Sequence, residues 1–541
     1  MHALGIMTGD ALHIIGSFLK KGACGIKFIR RKPTPPTRYV WSDDQQLSPN
    51  VIPSVYDEAC SLVRTIWSNC DDVEFRDIRA GDTRVTIFWV GTLIDKLLVQ
   101  TGIVEPLIRL KEPITGLEAL EQLLPIPSYR QTDKLQELNQ AVGSGMAAIL
   151  VENGEQAVII DVASFTERPI EKSDLEPSVI GPQAAFVENL QSNIALLRRR
   201  LSSPRVKMEF STIGTISQTQ VAMLYVDGVV KPEYVEETRK RLKRICIDGI
   251  FDANYVDELI KDEPYSLFPT VQSTERPDRV AAGLLEGRVS IMIDGTPLVI
   301  LVPVSFFGLL QSDEDYYQNF ITASAVRLLR HCAFWLSLLT PSLYVALLTY
   351  HQEMIPTVLL VTLVKSREGV PFPAFVEMLL MEFSFEILRE AGVRLPRGIG
   401  QSVSIVGALV VGEAAVNAGI VSPLVVIVEA LTGIASFSVP SFYLGSSVRF
   451  LRFPFVLLAG AFGLYGIVIA FLILLTHLVS LRSFGVPYFA PVAPSIGKDM
   501  KDVFVRVPWW KMRTRPQMFE PVDAKRGQNN PVSDSESRDE R

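Results

Sequence analysis

Between His331 and Leu481 only 15 of 151 residues are charged, against 97 in the remaining 390, and no other feature of this 541-residue chain restricts its fold as much. One bilayer crossing takes about 20 apolar residues, so a charge-poor block of this length predicts several membrane helices in series. Three stretches have the length and apolarity of spans: Ala333 to Tyr350, Ile399 to Leu444 and Phe453 to Leu481. Gly419 to Pro423 splits the second into two, which gives four expected spans.

The segment between the first and second stretches fits less simply. Ile355 to Val364 is too short to span, and Pro373 to Ala391 carries Glu377, Glu382, Glu386, Arg389 and Glu390. At about 100° per residue, Glu382, Glu386, Arg389 and Glu390 share one arc, while Val376, Leu380, Phe383 and Ile387 fill a neighbouring one. Such a helix lies in the interface, the expectation adopted here, or spans with its acids toward a watery lumen.

Gly400, Ser404, Ala408 and Gly412 recur at four-residue spacing. In lipid, helices associate through close backbone approach, so this stripe predicts a helix-packing face. Gly460, Gly463 and Gly466 suggest another close approach. Glu413 and Glu429 are isolated acids in apolar surroundings. An acid at membrane depth costs about 2.5–3.5 kcal/mol on insertion scales, which makes both candidate pore or coupling residues, with a helix end reaching the headgroups as the plainer alternative.

Orientation follows from arginine and lysine. Arg327 and Arg330 before the first span, and Arg482, Lys498, Lys501 and Arg506 after the last, put both ends on the cytosolic side and require an even number of spans. Four spans leave Arg389, Arg394, Arg397, Arg449 and Arg452 in loops on the other side.

The polar front of the chain contains a repeat. Gly145 to Gly154 followed by Ala157 to Asp161, and Gly287 to Gly295 followed by Leu298 to Leu301, each set two apolar runs about an Asn-Gly or Asp-Gly turn, a strong hairpin signal. Upstream, Val85 to Val90 and Val221 to Val226 read as buried strands, and Pro232 to Arg244 as a helix with Val235, Leu242 and Ile245 apolar. The expected fold is therefore an α/β soluble region of two tandem similar subdomains, followed by an all-α transmembrane helical domain. Its parts are a disordered arm over 1–54, subdomains over 55–165 and 206–327, a linker and helix over 166–205, a transmembrane domain over 328–482 and a polar tail over 483–541. Arg198, Arg199 and Arg200 end the linker helix and read as a solvated helix terminus, or as a surface for headgroups or an acidic partner.

Several function classes are disfavoured. A net charge of −6 speaks against nucleic acid as partner, and the basic cluster from Lys20 to Lys32 is followed by prolines, which reads as an arm that touches lipid at most. Asp10 and His13 interrupt the only candidate signal-peptide stretch. Five cysteines without C-x-x-C spacing and five scattered histidines predict neither disulfide framework nor metal site. No phosphate-binding loop, nucleophile elbow or H-E-x-x-H string is present, so neither an enzyme nor a cofactor is expected.

The strings Ser366-Arg-Glu-Gly-Val-Pro-Phe-Pro-Ala374, Ile387-Leu-Arg-Glu-Ala-Gly392, Ser404-Ile-Val-Gly-Ala-Leu409, Leu431-Thr-Gly-Ile-Ala-Ser436 and Leu481-Arg-Ser-Phe-Gly-Val-Pro-Tyr488 resemble the A subunit of GerA-type bacterial spore germination receptors. So do Glu167-Arg-Pro169, Asn193 to Arg199, Ile247-Asp-Gly249, Glu275-Arg-Pro-Asp278 and Glu286-Gly-Arg288, and the resemblance runs from about Asp82 to Arg515. It implies a multi-pass protein of the spore inner membrane that works with a transporter-like B subunit, which binds the nutrient, and a lipoprotein C subunit. It further implies a homo-oligomer forming or gating a cation channel. A non-conducting scaffold and the stage V sporulation AF-type paralogue of the same family are the alternatives. The resemblance brings no catalytic or ligand-binding residues with it.

Overall fold

A computed structural model describes residues 51–110, 124, 129–152, 154, 156–164, 173, 176, 178–394 and 412–527. Most of the expected arm over 1–54, and Gly400, Ser404 and Ala408 of the small-residue stripe, lie outside the described residues.

The first sheet is built from β1 (Val73–Ala80), β2 (Thr83–Val90), β3 (Tyr129–Thr132), β4 (Met146–Val151) and β5 (Ala157–Asp161), with helices α1 (Tyr56–Ile66) and α2 (Leu135–Gly143). Its order is β1-β2-β4-β5-β3, with every neighbouring pair antiparallel. Alternate residues serve opposite faces: Ile87, Ile149 and Val158 pack into one core, Phe88, Ala148 and Ile159 into another beneath α1 and α2.

A linker helix, α3 (Leu190–Arg198), is capped by the Asn189 side chain, which accepts from the Ser192 amide, and leads into the second sheet. This comprises β6 (Val206–Ile213), β7 (Thr219–Val226), β8 (Gln272–Thr274), β9 (Val289–Ile293) and β10 (Val299–Val302). Three helices accompany it: α4 (Pro232–Arg244), α5 (Ala253–Ile260) and α6 (Pro277–Leu285). The order is β6-β7-β9-β10-β8, the same sequence of positions as in the first sheet. β9 and β10 are buried throughout: Ile291 and Ile300 face α4 and α5, while Met292 and Leu301 face α3 and α6. Gly295 closes the β9–β10 turn at φ +87°, a conformation costly for any residue with a Cβ.

Within the arginine run of the linker helix, Arg198 departs from the expectation of a solvated terminus, while Arg199 is exposed as expected. Arg198 is fully buried and pairs bidentately with Asp72, at 2.8 Å for each bond, between the two sheet regions. Beside it Cys70 and Met208 form an isolated parallel bridge. Sequence periodicity sees a basic helix end; it does not see that Asp72 arrives from 126 residues away.

The helical part follows: α7 (Phe320–Thr349), α8 (Thr357–Arg367), α9 (Ala374–Arg394), α10 (Pro423–Phe437), α11 (Phe442–Phe462) and α12 (Leu464–Ser480). By length and composition, α7 and α11 are long and apolar enough to cross a membrane, and α10 and α12 are shorter apolar helices. The run Phe453 to Leu481 is not one helix. Gly463, at φ +61°, separates α11 from α12, and the chain folds back so tightly that a Cβ on Gly466 would overlap the Leu458 carbonyl.

Contacts along the helices fix their directions. α7, α11 and α12 meet the second sheet region at one end of the bundle, through Phe334 against Phe306, Tyr443 Oη donating to Asn254 Oδ1 at 2.8 Å, and His477 at 3.0 Å from Ser266. At the far end Tyr350 donates to the carbonyl of Ala461 at 2.8 Å, and Phe375 of α9 lies against Gly460. The chain enters α9 and α10 at that far end, where the Glu377 carboxylate accepts from the Ser422 amide at 2.8 Å.

The tail returns to the sheet region. Ser483 donates to the Thr270 carbonyl at 2.6 Å, Phe484, Val486 and Phe519 enter the second sheet's core, and Arg515 donates to the Leu285 carbonyl at 2.8 Å.

Candidate functional site: a buried charge cluster among apolar helices

α9 carries its polarity inside out. Leu380, Phe383 and Ile387 point away from the protein, Phe383 being 61% exposed, while Glu377 and Glu382 are buried. In water this arrangement opposes the hydrophobic effect; it is sensible where the surroundings are apolar and each acid has a partner inside.

Glu377 has two. Arg367 of α8 donates to its Oε1 at 2.8 Å, and its Oε2 takes the Ser422 amide, one of the orphan N–H groups at the start of α10. Its position ties α8, α9 and α10 together at the far end.

Glu382 lies about one and a half turns further along. Arg452 of α11 donates to its Oε1 at 3.0 Å. Arg449, one turn earlier on α11, donates to Ser446 at 2.7 Å and lies 3.6 Å from Glu386. The spacings agree: acids at 382 and 386 on α9 meet arginines at 452 and 449 on the antiparallel α11. Arg389 then stacks over the ring of Phe437 at 5.6 Å, where α10 ends.

Glu429 completes the cluster from α10. It is 2% exposed and faces Glu382, Arg452 and Glu386. Among the described residues, Glu429 Oε2, Glu382 Oε2 and Arg452 Nε lack a hydrogen-bond partner. Two acids from different helices therefore lie beside one guanidinium, which pairs with Glu382.

The other candidates fall elsewhere. Glu413 is exposed and does not join the cluster. Gly412 is buried against α10, where an added Cβ would sit 3.3 Å from Val426 Cγ1. Arg449 and Arg452, expected in a loop, lie within α11, which Ser441 caps well before them by accepting from the Leu444 amide. Two basic residues three apart, set against two acids four apart, are the sequence signal for this pairing.

A second charged node joins the helices to the sheets. Asp315 accepts from Arg327 at 3.0 Å and from Arg330 at 3.0 and 3.1 Å, and Arg327 reaches Asp502 of the tail at 2.7 Å. A cavity of about 50 Å³ lies beside it, lined by residues including Glu286, Gln311, Asp499, Asp502 and Arg526. Burial pushes the Glu286 carboxyl above its ordinary range. No group of three or more His, Cys, Asp or Glu among the described residues is placed to hold a metal ion.

Residues 61–518 match the Bacillus/Clostridium GerA spore germination protein family. The chain belongs to this family. It is 41% identical over 480 residues to spore germination protein KA of Bacillus subtilis (strain 168), covering 87% of this chain and 88% of that one. Over 489 residues it is 40% identical to the uncharacterized membrane protein YfkQ of the same organism, covering 90% and 94%. The crystal structure of the N-terminal domain of the A subunit of the Bacillus megaterium spore germinant receptor GerK3 aligns with 47% of this chain and 97% of its own, at 27% identity and a TM-score of 0.37. The strings read between Asp82 and Arg515 thus fall inside the part of the chain that matches the GerA family.

Proposed function

We propose that this GerA-family chain is the membrane-embedded A subunit of a nutrient-responsive germination receptor, and that its helices form or gate an oligomeric cation channel. The nutrient binds on a transporter-like B subunit, a lipoprotein C subunit completes the complex, and binding shifts a closed-to-open equilibrium. The setting is the spore inner membrane, with the sheet regions and the tail on the cytosolic side.

The observation that carries this reading is α9, with apolar side chains outward and Glu377 and Glu382 paired inward. A relative that is 40% identical is described as a membrane protein, which supports the same setting. The contact between the tail and the second sheet supports an even number of crossings, because both lie at one end of the bundle. The common strand order supports reading 55–165 and 206–327 as related units. In this scheme Glu429 couples α10 to the pore through Arg452.

The test is reconstitution of the full chain with its partner subunits in liposomes. Monovalent cations should pass when nutrient is added, and Glu429→Ala should change conductance or selectivity. A complex that assembles and never conducts would make the chain a scaffold.

A further inference from the structure

The second sheet region exposes an apolar strip where the long helices end. Phe251, Tyr255 and Leu259 follow at four-residue spacing along α5 and its approach, and all three are exposed. Tyr255 and Leu259 share one face of α5, Phe251 just before the helix packs edge to face on Tyr255 at 6.3 Å, and the opposite face of α5 holds the buried Ala253, Val256 and Ile260. The following loop adds Tyr265, 98% exposed, and Leu267, more than half exposed.

This strip is fixed to the helices. The Ser447 hydroxyl of α11 donates to the Leu267 carbonyl, Ser266 hydrogen-bonds His477 of α12 at 3.0 Å, and Asn254 of α5 accepts from Tyr443. Phe268, the next residue, is buried in the core of the helical part. At about 1.5 Å per residue, the 21 residues of α11 span about 30 Å, the thickness of a bilayer's hydrocarbon core. Ser447 lies five residues into α11, so the loop is level with a point about 7–8 Å inside that helix's first residue. Interfacial elements bury their apolar faces to about 5–10 Å, and tyrosine favours that layer. Phe442 and Tyr443, packed edge to face at 5.8 Å in the first turn of α11, continue the strip.

We propose that the second sheet region itself binds the lipid surface: Tyr265 and Leu267 insert between headgroups of the leaflet that α11 and α12 cross, while Phe251, Tyr255 and Leu259 rest at headgroup level. The exposed Glu258 and Glu263 lie within the same stretch, so the attraction is apolar and a zwitterionic bilayer suffices. The proposal rests on the membrane reading of the helices, and it adds that a soluble-looking region is held against the bilayer.

The test uses the full chain in phosphatidylcholine vesicles with Cys24, Cys60, Cys246 and Cys332 changed to serine. A nitroxide is attached in turn through Tyr265→Cys, Tyr255→Cys, Ser211→Cys on the exposed part of β6 and Ile434→Cys on the outer face of α10. Collision with dissolved oxygen and with a water-soluble nickel chelate reports depth. The oxygen-to-nickel ratio at 265 should exceed that at 211 several-fold and fall below that at 434, with 255 intermediate. A ratio at 265 equal to that at 211 overturns the proposal. So does a label at 265 shielded from both reagents, which would mean that protein covers the strip. If 434 is also as open to nickel as 211, the membrane reading itself fails and takes the proposal with it.

Discussion

Glu382 and Arg452 form an ion pair of 3.0 Å in which each side chain is 4% exposed, joining the middle of α9 to the middle of α11. Removing one partner of a buried pair leaves an uncompensated charge and costs about 3–5 kcal/mol, whereas replacing both with apolar groups is often neutral. Arg452→Met should therefore lower thermal stability in detergent strongly. The double variant Glu382→Leu/Arg452→Met should recover much of the loss, and the pairwise coupling should appear in the cycle. Equal instability of single and double variants would mean that Arg452 acts through Glu429 instead.

Gly460 and Gly466 make two different close approaches. A Cβ on Gly466 would overlap the Leu458 carbonyl, which is backbone, while one on Gly460 would overlap the ring of Phe375, which can turn. Overpacking costs about 1–3 kcal/mol where neighbours can move, and more where they cannot. Gly466→Ala should thus destabilise more than Gly460→Ala, measured as the midpoint of heat-induced loss of monodisperse protein.

The β9–β10 hairpin and α4 could be read in advance because their signals are local: a turn pair at Asp294-Gly295, and apolar positions Val235 and Leu242 at helical spacing, both of which are buried. The apolar outer surface of α9 was equally plain as an arc of side chains. Which arc would face the protein was not, because Glu382 meets its partner 70 residues away and Glu377 meets Ser422 at 45. The break at Gly463 escaped for another reason: glycine is ordinary in apolar helices, and only the fold-back at Gly466 shows that this one turns the chain. Glu413 and Glu429 look alike in sequence, and only the packing of α10 against α9 and α11 separates them.

Asp313, in the strap before α7, should impose a pH dependence. Burial pushes its carboxyl up to about 6, with Arg279 and Arg276 opposing and Asp278 and Glu176 adding repulsion. A raised acid binds its proton more tightly folded than unfolded, so its contribution falls as pH rises from about 4 toward 6. Each pH unit of separation corresponds to about 1.4 kcal/mol. Asp313→Asn should flatten the stability profile across that window, and an unchanged slope would assign the dependence to another group.

Asp502 holds the tail to α7. It accepts from Arg327 at 2.7 Å and from Tyr316 at 2.8 Å, and its carbonyl accepts from Gln311 at 2.6 Å. Asp502→Ala removes the two side-chain bonds and leaves Arg327 with Asp315 and the Asp502 carbonyl. Limited proteolysis should then cut within 490–520 several-fold faster, with the second sheet still intact. Lys231 and Glu520 pair at 2.8 Å with Glu520 two-thirds exposed, so Glu520→Ala should change the cleavage rate little.

The last expectation separates the two acids. Glu429 is buried against Glu382 and Arg452, whereas Glu413 is exposed. Replacing the carboxyl at 429 removes a proton-binding group that borders Glu382 and Arg452, and so changes what α10 presents to that pair. Glu429→Gln keeps the shape and isolates that effect. In liposomes carrying the full receptor, Glu429→Gln should change the nutrient concentration needed for half-maximal cation flux or the flux without nutrient, while Glu413→Gln leaves both within twofold. If Glu413→Gln has the larger effect, the exposed acid faces the conduction path in the assembled complex and the buried cluster serves stability alone.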